Sequence, residues 1–170
     1  MTKDFVFSGQ REGEDVIEVI NNHPYILYLP GIKTVLLFSA STAIWVFSGQ
    51  YDWLRIISPL AIILALWGVL IFAIAFYSYA ESILVITNQR LFNIEQRGLF
   101  TRKISELDHR NIQDITSDSE GLAKTMLHFG DLTIRTAGAS AGTEMIVRNI
   151  PDPYDIQQLI TRIYRDESKQ

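Results

Sequence analysis

The sequence predicts a membrane α-helical hairpin plus a mainly β domain, a curved antiparallel sheet or partly open barrel with a C-terminal capping helix. Three observations carry that expectation. Between Thr34 and Ala80 the only formally charged side chains are Asp52 and Arg55, whereas charges are dense from Glu81 onward. Residues 56–77 form an uninterrupted run of 22 uncharged residues. Beyond it, short segments alternate apolar and polar at the two-residue period of strands, and the last segment changes to helical spacing.

The first 24 residues carry Lys3, Asp4, Arg11, Glu12, Glu14, Asp15 and Glu18, unlike a cleavable signal peptide with a basic start and an apolar core. They are read as a cytoplasmic N-terminal segment. Residues 25–80 are read as a two-helix hairpin with spans over about 30–50 and 54–79. At ~1.5 Å per residue the second apolar run covers the ~30 Å of a hydrocarbon core. It is apolar on every face, which a surface helix of a soluble domain is not. The first run, residues 34–47, is shorter. Lys33 begins it, and its long stem can lie in the apolar layer while the ammonium reaches the headgroups. Trp45, Tyr51 and Trp53 gather near the connecting loop, and Tyr77 and Tyr79 stand at the far end of the second run, as interfacial aromatics do. Residues 48–53 are too few to join anything but an antiparallel pair. Lys3, Arg11 and Lys33 flank the first span, and Arg90, Arg97, Arg102, Lys103 and Arg110 follow the second, while the loop has no Lys or Arg. The positive-inside rule therefore predicts a multi-pass protein of the cytoplasmic membrane with both termini inside.

Residues 81–170 are the polar domain. Strands are expected over 82–87, 90–97, 102–108, 112–116, 131–136 and 144–148, with Asn88 and Gln89 as a tight turn and 120–129 as a loop or short helix. Asp152 suits a helix cap, Pro153 the first helical position and Asp155 the first turn. Ile156, Leu159, Ile160 and Ile163 then share one helical face, so this helix is expected to close the β domain.

Several chemistries are excluded or disfavoured. The chain has no cysteine, which removes disulfides, thiolate zinc sites, iron–sulfur clusters and cysteine nucleophiles. A net charge of −4 over 170 residues gives no basic excess for nucleic acid. Residues 138–142 fit the G-x-S-x-G pattern, but a nucleophile elbow needs a strand before it, a helix after it and a later histidine. Here a strand is expected after Ser140, and the last histidine, His128, precedes it. His23, His109 and His128 are scattered and form no zinc motif. Asp108 beside His109 reads as a local hydrogen bond or plain exposure. Asp114, Asp118 and Glu120 lack the alternating ligand pattern of a calcium loop and read as solvated. No catalytic residue, metal or other cofactor is expected.

Residues 86–91 (ITNQRL), 97–103 (RGLFTRK), 107–115 (LDHRNIQDI) and 129–134 (FGDLTI) resemble the pleckstrin-homology (PH)-like domain of small YdbS-like bacterial membrane proteins. Residues 13–24 are similar to that family's N-terminal segment. The resemblance implies a PH-like fold, a partly open β-barrel capped by a helix, and no established activity. Phosphoinositide-binding PH domains use a basic loop between their first two strands, and Asn88 and Gln89 supply no such charge.

The candidate surface is basic: Arg97, Arg102, Lys103 and Arg110, as contacts for the membrane surface and its headgroups. Residues 81–170 nonetheless hold 11 Lys/Arg against 13 Asp/Glu, a net of −2, so there is no polybasic field. The sequence therefore reads as a membrane-anchored, non-enzymatic binding or scaffold module. Its expected partners are the phospholipid bilayer and a membrane or cytoplasmic protein, or a second copy of the chain. The alternative is a small accessory subunit of a membrane transport or channel complex; against it, neither span holds a mid-membrane acid or base.

Overall fold

The computed structural model describes residues 10–136 and 144–167. It divides into two compact units. Of the described residues, one holds 10–23, 80–97, 101–136 and 144–167; the other holds 24–79 and 98–100.

The helical unit consists of α1 (Tyr28–Gln50) and α2 (Ser58–Ala80). Both are long and apolar enough to cross a membrane, with mean hydropathies of 1.4 and 2.6. Of the apolar window in each, 0% and 11% is buried within the protein, which is not how the core helix of a soluble domain is placed. The second helix begins at Ser58, four residues later than the expected 54. Pro59 explains the delay. It has no N–H to give to the preceding turn, so it sits at a helix start, and a 3-10 helix (Asp52–Ile57) fills the interval.

Small groups hold the two helices together. The Thr34 hydroxyl donates to the Gly68 carbonyl at 3.1 Å, and the Ser41 hydroxyl donates to the Ala61 carbonyl at 2.7 Å. Seven residues up one helix match seven down the other, the register of an antiparallel pair. Ala61 and Gly68 are buried there, and a Cβ on Gly68 would lie 3.4 Å from Leu37 Cβ. This is the close approach that small residues permit. Leu36, Val35, Trp45, Ile62, Leu66 and Trp67 face outward.

The β unit has two antiparallel sheets that do not close into a barrel. The first has the order β1-β2-β3-β4: β1 (Val16–Asn21), β2 (Ile83–Thr87), β3 (Arg90–Arg97) and β4 (Thr101–Asp108). The second is β5-β6-β7: β5 (Ile112–Asp118), β6 (Phe129–Thr136) and β7 (Glu144–Pro151). A short helix α3 (Leu122–Met126) precedes β6, and α4 (Pro153–Glu167) ends the fold. One apolar core joins Ile20, Leu84, Ile86, Leu91 and Leu107 of the first sheet to Ile112, Leu132, Ile134, Val147 and Ile150 of the second. Ile156 and Ile160 of α4 are buried in it, with Leu159 and Ile163 packed against it, as the helical spacing predicts.

The strand β1 was not among the expected elements. Residues 1–24, read as a separate N-terminal segment, contribute the outer strand of the first sheet, paired from Val16↔Thr87 to Asn21↔Ile83. The helical hairpin is therefore an insertion between two hydrogen-bonded neighbours of one sheet. Asn88 and Gln89 consequently join the second and third strands of the domain, not the first two.

Candidate interaction site at the β3–β4 turn

The β3–β4 ladder runs in unbroken register from Arg90↔Asp108 to Arg97↔Thr101, leaving Gly98, Leu99 and Phe100 as its turn. Gly98 has φ +66, the left-handed region where a side chain is costly. Its N–H donates to the Ser78 hydroxyl at 3.0 Å, near the end of α2. The two following side chains have little cover: Leu99 is 46% exposed and Phe100 96%.

Three of the four predicted basic residues flank this turn. Arg97 ends β3, and its guanidinium spans the Glu95 carboxylate at 2.9 and 3.1 Å. Arg102 and Lys103 begin the exposed half of β4, opposite Gln96 and Glu95. Successive strand residues point to opposite faces, so Arg102 and Lys103 straddle the sheet. Arg110 is not brought to them. It follows β4, in a 3-10 turn where its backbone N–H is capped by the Asp108 carboxylate at 3.1 Å. From Arg102 to the end of β4 the strand runs six residues, roughly 20 Å at ~3.3 Å each.

At the Arg110 end of the same ladder is a charged cluster that the sequence reading missed. Glu14 is 2% exposed and takes Arg90 through both oxygens, each at 2.8 Å. Arg90 reaches the Glu106 carboxylate at 2.6 Å with its third nitrogen and lies over the Phe92 ring at 4.1 Å. The Thr87 hydroxyl and the Arg11 N–H also donate to Glu14. The hydrogen bonds from Arg90 hold the Glu14 carboxyl down to about 2, against desolvation, which acts the other way. The same pairing holds the Arg90 guanidinium above its ordinary range. Both Glu14 oxygens and all three guanidinium nitrogens of Arg90 face other side chains of the cluster, so the pair acts as a clasp. It fastens residues 11–14 over the β2–β3 turn, helped by Asn88, whose side chain donates to the Gly13 carbonyl and accepts from the Asp15 N–H, both at 2.9 Å. No local signal reveals a pair whose members stand 76 residues apart.

The remaining candidates resolve as follows. His109 is fully buried, not exposed or bonded to Asp108: its Nε2 lies 2.8 Å from the Thr87 carbonyl. A carbonyl can only accept, so Nε2 donates, while the buried Nδ1 meets no hydrogen-bond partner among the described residues. His23 stacks on Phe129 at 4.8 Å. Asp114, Asp118 and Glu120 are exposed, and no group of three or more acidic or histidine side chains among the described residues is placed to hold a metal. Ser140 lies outside the described residues.

The sequence profile of the bacterial PH domain matches residues 26–163. Among solved structures, a DUF1696 family protein with a pleckstrin-homology domain from Shewanella loihica PV-4 is 17% identical, with a TM-score of 0.39 over 51% of this chain and 73% of that one. A pleckstrin-homology domain from Shewanella amazonensis SB2B is 18% identical, with a TM-score of 0.36 over 49% and 75%. Among curated proteins, none matches. The profile covers far more than half of the sequence, including β2 to β7 and most of α4 though not β1, and on that ground the chain belongs to the bacterial PH domain family.

Proposed function

We propose that this protein is a membrane-anchored, non-enzymatic PH-like binding or scaffold module, held at the cytoplasmic face of the membrane by α1 and α2. The observation that carries the reading is the pairing of β1 with β2 on either side of the helical hairpin. Two hydrogen-bonded strands cannot be separated by a bilayer, so a membrane crossed by α1 must be crossed back by α2. The outward apolar faces of both helices support the same reading, as does the excess of Lys and Arg on the flanks over the loop. Two spans ahead of a PH-like domain is also the arrangement that the likeness to YdbS-like membrane proteins implies.

The binding surface in this reading is the outer edge of β4 with its turn. In the sheet order β1-β2-β3-β4 that edge pairs with no further strand among the described residues, and an extended peptide can add to such an edge. Ile104 stands exposed there next to Arg102 and Lys103, basic residues that discourage indiscriminate pairing. Arg97, Arg102 and Lys103 supply contacts to anionic headgroups, each worth ~1 kcal/mol near a leaflet. Arg110, at the opposite end of the ladder, is a separate surface charge.

Affinity purification of the full chain in mild detergent, after an alkaline carbonate wash of the membranes, tests this reading. The chain is expected to stay with the membranes and to bring down a protein whose recovery falls with Ile104→Asp. Release by carbonate would contradict the anchoring. Unchanged recovery from Ile104→Asp would contradict the β4 edge.

A further inference from the structure

We propose that Leu99 and Phe100 form a wedge inserted between the headgroups of the leaflet in which α2 ends, giving the protein a third membrane contact. The inference rests on the membrane-anchored reading and extends it to a specific pair of side chains. Scattered exposed apolar residues are ordinary on protein surfaces and need no explanation. These two differ in three respects.

They are held, not dangling. The turn is closed by the Arg97↔Thr101 pair, and its first residue is bonded to Ser78, two residues before the end of α2. Residues 98–100 group with the helices and not with the β unit. They also stand beside an interfacial marker. Tyr77 and Tyr79 bracket Ser78, and tyrosines of this kind settle where hydrocarbon meets headgroups. Finally, the flanking charge suits an anionic surface. The turn lies between Arg97, which is paired with Glu95, on one strand and Arg102 and Lys103 on the other, so a net positive charge flanks the apolar tip. A protein partner or a second copy has less support at the turn itself: Arg97 precedes it, and Thr101, Arg102 and Lys103 separate it from the exposed Ile104 farther along β4.

The absence of native cysteine makes the test direct. The full chain with Phe100→Cys carries an environment-sensitive NBD label and is reconstituted in phosphatidylcholine–phosphatidylglycerol vesicles. Val69→Cys, on the outward side of α2, and Glu120→Cys, on an exposed turn, serve as references. The label at position 100 is expected to shift to the blue and to be quenched by a shallow spin-labelled lipid but not by iodide. Replacing Arg102 and Lys103 with Gln should return part of the iodide quenching. If the label at 100 is quenched by iodide alone while that at 69 is quenched by lipid, the wedge is wrong and the anchoring stands. If the label at 69 is also reached by iodide, the anchoring fails and the wedge with it. Shielding at 100 from both quenchers that disappears as protein is diluted in lipid would place a second copy on the turn and overturn the wedge.

Discussion

The helical hairpin and the β domain bury their side chains in opposite senses. In the hairpin, the contacts between helices are made by Thr34, Ser41, Ala61 and Gly68, while Leu36, Leu66 and Trp67 point away. In the β domain, Leu84, Ile86, Leu91, Leu132, Ile134 and Ile160 are inside, and the charges are outside apart from one clasped pair. The contrast is the one that the proposed membrane anchoring entails. In water, apolar burial drives assembly. In hydrocarbon there is no such drive, so close backbone approach and shared hydrogen bonds take its place. A substitution should therefore matter in one region by its apolar volume and in the other by its smallness.

The largest effect is expected at the buried Glu14–Arg90 pair. Glu14→Ala takes from Arg90, itself only 5% exposed, the carboxylate that it meets with two nitrogens, and removing one partner of a buried pair costs about 3–5 kcal/mol. Melting of the purified full chain in detergent measures this. The same pair sets an acid limit. The folded Glu14 carboxyl titrates near 2 against an ordinary 4.5, so its contribution is complete above about 4.5 and is lost as pH falls toward about 2. In Glu14→Gln that part of the acid destabilisation should vanish; an unaltered acid limb would show that other carboxylates govern it.

Next comes the core. Ile160→Ala should cost about 2–5 kcal/mol, because its side chain is fully buried under both sheets. The shift should be the same with and without lipid. If Ile160→Ala with Ile163→Ala melts like the parent but weakens membrane association, α4 is a membrane contact and not the cap of the domain. Leu66→Ala, on the outer face of α2, should leave the melt unmoved, and a marked loss there would break the contrast between the two regions.

Smallness is tested at two glycines. A Cβ on Gly130 would run into the Asp118 carbonyl, the Ser119 hydroxyl and the Pro153 ring. A backbone carbonyl cannot step aside cheaply, so Gly130→Ala should cost about 1–3 kcal/mol of domain stability. At Gly68 an alanine Cβ meets Leu37 at 3.4 Å, which a small adjustment absorbs, whereas leucine must part the helices. Disulfide formation between cysteines at 41 and 61 should survive Gly68→Ala and fall with Gly68→Leu. Equal yields in the two variants would show that Gly68 does not set the spacing. The smallest effect belongs to the basic turn: Lys103→Gln should leave the melt unchanged and weaken attraction to anionic vesicles by ~1 kcal/mol.

What was legible in the sequence was whatever is written locally. The charge-free run of α2, the two-residue alternation of β6 and β7, and the Asp152-Pro153 start of α4 each need only neighbouring residues. Two kinds of feature were not legible. Residues 16–21 contain four β-branched side chains, a strand signal, but their partner β2 lies beyond the whole hairpin. The Glu14–Arg90 clasp and the burial of His109 depend on that same long-range pairing, which no local pattern encodes. For the candidate site, the sequence supplied the basic residues but not their grouping. Register places Arg97, Arg102 and Lys103 around one turn and sends Arg110 to the other end. The exposure of Leu99 and Phe100 depends on how that turn is held, which composition alone does not state.

The central claim, that α1 and α2 cross a membrane and return both flanks to one sheet, is tested most directly by thiol accessibility in intact cells. Single cysteines are placed at Gly49, at Glu18 in β1 and at Glu120. A membrane-impermeant maleimide is expected to label position 49 alone, with 18 and 120 labelled together only after permeabilisation. Labelling of 18 and 120 on opposite sides of the membrane, or of 49 only after permeabilisation, would contradict the account.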